Sequence, residues 1–174
     1  WTQPSGRPHA ETEALKQAGL RAKGGTAYVT LEPCAHHGRT PPCADALIDA
    51  GVARVVAAIA DPDPRTSGEG FARLSAAGIA VTTGVRSAEA TEVTAGFLSR
   101  ILKGRPLFTL KTAMTLDGRI ASHSGASRWI TGEAARACGH LLRAQNDAVL
   151  AGIGTAIADD PLLDVRLPGL EDRR

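Results

Sequence analysis

Three short β-rich runs, each separated from the next by a helical pattern, constrain this chain more than any other feature. They lie at 26–31 (TAYVTL), at 52–60, which is apolar and β-branched, and at 79–83. Helical patterns sit between them, at 43–50 before Gly51 and at 69–77 before Gly78. A further one at 11–22 places Ala14, Leu15, Ala18 and Ala22 on one side and stops at Gly24-Gly25. Parallel neighbours need a crossover, and a helix supplies it, so this alternation predicts a largely parallel sheet covered by helices. With aromatics at 3%, 19 Gly and 10 Pro, the composition suits tightly packed α/β layers better than a β-sandwich or an aromatic platform for single strands.

Beyond the third run, 87–103 reads as one longer helix with Ser87 as N-cap and Glu89 and Glu92 in its opening turns. Gly104-Arg105-Pro106 then marks a domain boundary, giving units 1–103 and 104–174. In the second unit a strand is expected at 106–112, a turn at Asp117-Gly118, a helix from Thr131 to about Gln145, and a strand at 147–153. A length of 174 residues leaves room for one domain or parts of two.

Charge and hydropathy exclude several classes. The net charge is +2 with no basic block, which disfavours a nucleic-acid partner. The longest apolar stretch, 55–60, is far too short to cross a membrane. Three cysteines are an odd count and too few for a disulfide-framed domain, so a reducing, cytoplasmic setting is expected, where a close cysteine pair more often binds metal.

The strongest chemical signal is His9-Ala10-Glu11, then Pro33-Cys34 and, after eight intervening residues, Cys43. One imidazole and two thiolates are three ligands suited to tetrahedral zinc, with the fourth position open to water. Zinc lowers the pKa of a bound water to about 7. Glu11, two residues from His9, would diverge from it by about 200° on a regular helix, so the two converge only where the chain is entering that helix. There Glu11 could take a proton and pass it to a leaving amine. Cys43 opens its own helix, and a helix N-terminus favours a thiolate. This is the zinc-deaminase pattern of H-x-E with a later P-C…C, in which the Glu is the proton shuttle and no ligand. The common form has two residues between the cysteines. The insert here, AHHGRTPP, brings two histidines and Arg39, donors suited to a phosphate. Blander readings remain open: His9 as a structural histidine, Cys34–Cys43 as a disulfide, or a closed structural zinc site with His36 or His37 as fourth ligand.

HAE, TAYVTLEPCAHHGRTPPC and DPDP together resemble the deaminase domain of the bifunctional RibD family of riboflavin biosynthesis. PLFTLKTAMTLDGRIA, SRWITG, LLRAQNDAVLAGIGTAIADDPLL and DVR resemble the start of that family's reductase domain, so the resemblance covers nearly the whole chain. It implies an α/β fold: a three-layer cytidine-deaminase-like domain, then the start of a dihydrofolate-reductase-like domain. It implies deamination of a diaminopyrimidinone ribosyl phosphate and NADPH-dependent reduction of the ribose to a ribityl chain, with Zn2+ and NADPH as cofactors, a small-molecule substrate, no nucleic acid, no membrane, and room for a homo-oligomer. Carried over by motif, His9, Cys34 and Cys43 hold zinc and Glu11 is catalytic, with His37 and Arg39 as substrate contacts. In the second half it implies cofactor contacts at Ala113, Trp129, Thr155 and Asp159, and substrate contacts at Ser127, Arg143, Leu163 and Arg166, with Lys111 a further candidate. Read without it, Trp129 is a core aromatic, Gly152-Ile153-Gly154-Thr155 a short phosphate-cradling turn without the full dinucleotide fingerprint, and Asp159-Asp160-Pro161 a loop. Cys138, mid-helix, reads as a packing residue. Against the family pattern, a helix and hairpin before HAE and most of the reductase are missing, so the chain is expected to be a fragment. Two other functions stay in view: a single-function nucleoside or base deaminase with an unrelated tail, and a non-enzymatic module that uses zinc only to fold.

Overall fold

The computed structural model describes residues 1–3, 6–38 and 40–170. The chain divides into two compact units, Trp1–Phe108 and Thr109–Arg174. In the first, α1 (Ala10–Ala18) tightens into a 3-10 turn at Gly19–Ala22, followed by β1 (Thr26–Leu31), α2 (Cys43–Asp49), β2 (Arg54–Ile59), α3 (Glu69–Ala76), β3 (Ala80–Thr83), α4 (Ser87–Val93) and α5 (Ala95–Lys103). The second contains α6 (Glu133–Ala144) and α7 (Ile153–Asp159).

The three strands form a parallel sheet in the order β1-β2-β3. Register places Ala27 opposite Val55, and Val55 opposite Val81. Because side chains alternate across a strand, these residues share one face, and that face is where the core forms. Ala44 and Leu47 from α2 and Leu74 from α3 pack there with Val52, Val55 and Ile79, and Leu15 from α1 joins them. Val56 and Ala58 point the other way and are also buried, on the side where α4 packs against β1 and β2 through the buried Ala90. The parallel sheet with helices on both faces is the α/β architecture expected.

Three expectations are corrected. The helix expected over 87–103 is two helices, broken at Thr94, whose hydroxyl donates to the Ala90 carbonyl at 2.7 Å and whose backbone leaves the helical region (φ −101°, ψ 11°). The segments 106–112 and 147–153 are not strands. A strand exists only where a neighbour completes its ladder, and the described residues beyond β3 offer none, so Phe108, Leu110 and Leu150 stay exposed. Ile153 instead opens α7. The turn at Asp117-Gly118 does form: Gly118 takes φ +78° and its N–H donates to the Thr115 carbonyl at 2.9 Å.

Candidate active site

Parallel sheets present their working loops beyond the C-terminal ends of the strands. Here β1 runs out into Glu32, Pro33 and Cys34, and β2 into the loop that holds Asp61 and Asp63. His9 stands just before α1 in an extended conformation (φ −69°, ψ 158°), and Cys43 is the first residue of α2. Local hydrogen bonds fix how these segments meet. The Cys34 carbonyl accepts the Ala44 N–H at 3.2 Å, and its sulfur accepts the Cys43 N–H at 3.3 Å, so one residue satisfies two open donors at the start of α2.

The result is a close set of three donor atoms. His9 Nδ1 lies 3.3 Å from Cys43 Sγ and 3.6 Å from Cys34 Sγ, and all three ligand atoms fall within 4.8 Å of one another. Ideal zinc bonds of about 2.3 Å to sulfur and about 2.05 Å to nitrogen, opened to the tetrahedral angle, put N and S roughly 3.6 Å apart. The donor set fits zinc in both chemistry and spacing. Both thiols are buried and neither is in a disulfide. They share a hydrogen bond that holds the Cys34 thiol well below its ordinary range and, with burial, pushes the Cys43 thiol up. Among the described residues the cluster has three members, not four, since neither His36 nor His37 joins it.

Glu11 is the second residue of α1. Because His9 lies outside the helix, both side chains reach the same place. Glu11 approaches the Cys43 thiol without entering the ligand set, and burial raises its carboxyl above the ordinary range.

A second layer stiffens the site. Glu32, 2% exposed, accepts four backbone N–H groups: Asp61 at 3.1 Å, Gly68 at 3.0 Å, Gly70 at 2.9 Å and Phe71 at 3.3 Å. Its carboxylate thereby ties the end of β1 to the 61–68 loop and the first turn of α3. In that loop Asp63 is clamped by Arg65, and buried Thr66 holds His36 through a 3.3 Å contact between Oγ1 and Nδ1. His37, the histidine expected to meet substrate, is exposed; it is His36 that the structure brings against the Asp61–Asp63 loop. Arg39 lies outside the described residues. Arg7 places a cation on the same insert, donating to Thr40 Oγ1 at 2.7 Å.

In the second unit, Arg143 and Leu163 line one cleft of about 410 Å3 together with Val165 and Asn146. Leu163 turns the chain there with φ +54°. Arg166 is exposed and paired with the Asp164 carboxylate. Lys111 lies along α6 at Gly139. Ala113 is half-buried and Ser127 exposed, outside the lining of that cleft. Trp129 is no core aromatic: it is 71% exposed, with the Arg136 guanidinium 4.5 Å over its ring. Thr155 and Asp159 are one turn apart on α7, so the expected phosphate-cradling turn is a helix start. Cys138, expected to pack, is exposed.

Residues 2–59 match the cytidine and deoxycytidylate deaminase zinc-binding region, and residues 106–174 match the RibD C-terminal domain. The riboflavin biosynthesis protein RibD of Escherichia coli is 54% identical over 98% of this chain and 47% of its own length. That of Haemophilus influenzae is 54% identical over 93% and 44%. Among solved structures, Acinetobacter baumannii RibD superposes with a TM-score of 0.83 at 53% identity, covering 92% of this chain and 45% of the other. A Thermotoga maritima diaminohydroxyphosphoribosylaminopyrimidine deaminase/5-amino-6-(5-phosphoribosylamino)uracil reductase does so at 0.84 and 43% identity, covering 94% and 47%. Over nearly its whole length this chain is similar to RibD proteins. It spans less than half the length of these RibD relatives.

Glu32 and His140 were not singled out from the sequence, and His36, weighed there as a fourth zinc ligand, instead meets Thr66. The signal for Glu32 was present, as a carboxylate at the end of a strand running into a buried loop costs too much unless it is fully paired. His140 had no comparable signal, because its partners come from 24 to 26 residues further along.

Proposed function

We propose that the first unit is the zinc-dependent deaminase part of a bifunctional riboflavin-biosynthesis enzyme and that the second opens its NADPH-dependent reductase, with the two domains meeting near Gly104. The whole protein then deaminates a diaminopyrimidinone ribosyl phosphate, and its reductase delivers hydride from NADPH to the sugar carbonyl carbon, giving the ribityl chain. The single observation that carries this reading is the convergence of His9 Nδ1, Cys34 Sγ and Cys43 Sγ beside, but apart from, the Glu11 carboxylate.

His9, Cys34 and Cys43 would hold zinc, which when bound acidifies a water enough to make it a nucleophile at neutral pH. The remaining work falls to this chain. Glu11, next to the ligands and outside their set, takes a proton at a carboxylate oxygen and returns it to the departing amine nitrogen, so ammonia leaves in place of an amide anion. Asp61 accepts the Asp63 N–H and His36 meets Thr66, which ties the insert after Cys34 to the 61–68 loop. His37 and Arg39 are assigned to the substrate on the insert between the cysteines. In the second unit, Ala113, Trp129, Thr155 and Asp159 are assigned to NADPH. Ser127, Arg143, Leu163, Arg166 and Lys111 are assigned to the sugar phosphate, for which arginines are apt because they stay charged and bind oxyanions in a fixed fork. None of the described helices is long and apolar enough to cross a membrane, which is compatible with action in the cytoplasm.

The deciding experiment is Glu11→Gln in the full-length protein, read by ammonia release and by bound zinc. Loss of turnover with zinc retained is expected. Normal deamination would overturn the mechanism, and a zinc-stabilised module without activity would show no turnover in either form.

A further inference from the structure

A second histidine organises the arginines assigned to the sugar phosphate, and the inference from it rests on that assignment. On α6, His140 and Arg143 are three residues apart and share a face. The segment after Leu163 returns alongside them. Three groups converge on His140 Nδ1: the backbone N–H of Arg166 at 3.2 Å, Nη1 of Arg143 at 3.5 Å and the Asp164 carbonyl oxygen at 3.3 Å. The first two can only donate. Nδ1 therefore presents its lone pair to them, and the ring proton sits on Nε2. The Asp164 carbonyl takes its hydrogen bond from Arg143 Nη1 at 3.1 Å. One imidazole nitrogen thus holds the main chain of one arginine and faces the side chain of the other.

We propose that His140 is a positioning residue that sets the separation of Arg143 and Arg166, so that the two cations meet one phosphate monoester at the cleft lined by Arg143 and Leu163. Long arginine side chains lose rotamer freedom when they clamp an oxyanion, and fixing them beforehand lessens that cost on binding. Here Arg143 is held at the Asp164 carbonyl and Arg166 through its own N–H and the Asp164 carboxylate. Leu163, just before this segment, takes the left-handed conformation (φ +54°).

The test uses the full-length protein, with H140A, H140N and R143A assayed for reduction. Asn carries its oxygen where histidine carries Nδ1, so it keeps the acceptor. Loss of one hydrogen bond shared with a charged group predicts that H140A raises KM for the phosphorylated pyrimidine about tenfold, with KM for NADPH and kcat within about twofold, and that H140N restores substrate KM to within about threefold. If H140A does not fold, H140M, which keeps bulk without the acceptor, gives the same comparison against H140N. An unchanged substrate KM in H140A while R143A raises it, or H140N as impaired as H140A, overturns the positioning role. An unchanged substrate KM in R143A instead overturns the phosphate assignment itself, so the two failures are distinguishable.

Discussion

The carbonyl oxygen of Pro33 lies 2.0 Å from the point where a β-carbon on Gly70 would stand. Helix α3 therefore touches the backbone immediately before Cys34, and it can do so only because residue 70 has no side chain. The carbonyl is backbone and the β-carbon is fixed by backbone, so a Gly70→Ala variant must push α3 and the Cys34 segment apart. We expect a loss of about 2–4 kcal/mol in urea unfolding, together with faster zinc release to a chelator. Native stability and zinc retention in Gly70→Ala would show that the two elements slide apart freely.

Glu32 binds the same junction by hydrogen bonds. A Glu32→Gln variant turns one carboxylate oxygen into a donor and sets it against N–H groups that now have no acceptor. Leaving buried donors unsatisfied costs about 1–3 kcal/mol each, so the variant should unfold well before the native protein. Hydrogen exchange at Gly68, Gly70 and Phe71 should accelerate with it, and protection equal to the native protein's would exclude the role given to Glu32.

This carboxylate also shows where sequence reading stops. Its partners are 29 to 39 residues away, and no local pattern encodes them. Cys34 and Cys43 are as remote, 25 and 34 residues from His9, yet their convergence with it is legible because few residue types bind zinc and their order along the chain is restrictive. The first strand, 26–31, is legible to the residue because Gly24-Gly25 opens it and alternation runs through it. The runs at 106–112 and 147–153 have similar apolar content and form no strand, since a strand is a property of a pair. The break at Thr94 coincides with one hydroxyl bonded back to Ala90, and that His36 rather than His37 meets Thr66 has no local signal.

Removing the metal should destabilise the first unit. A ligand that binds only the native state stabilises it by RT ln(1 + [L]/Kd), about 2.7 kcal/mol at a hundredfold excess over Kd. Differential scanning calorimetry with and without a strong chelator should show the loss, and added zinc should reverse it. Cys34→Ser and Cys43→Ser should each lower retained zinc by at least about tenfold and be insensitive to the chelator. Equal melting of native protein with and without chelator would contradict the assignment.

Asp63 provides a readout in acid. The Arg65 guanidinium and N–H hold its carboxyl down at about 2. A group whose pKa is lower in the folded state adds stability that is complete above its unfolded value, about 3.9, and is lost as pH falls towards the folded one. The contribution of Asp63 should therefore be full at neutral pH and fade between about pH 4 and 2. In Arg65→Ala the carboxyl should titrate closer to the ordinary value in a carbon-detected NMR titration, and the acid limb of the stability curve should lose that share. An unmoved titration would mean that the clamp does not act in solution.

The eight residues between the two cysteines have an architectural consequence. With only two residues between them, both sulfurs would be set by a single tight turn, and any change in that turn would move the ligands. Here Cys34 is anchored at the end of a strand and Cys43 at the start of a helix, and the Cys43 N–H to Cys34 Sγ bond joins them directly. The spacing of the two sulfurs is thereby set outside the intervening stretch, whose length and sequence it does not dictate.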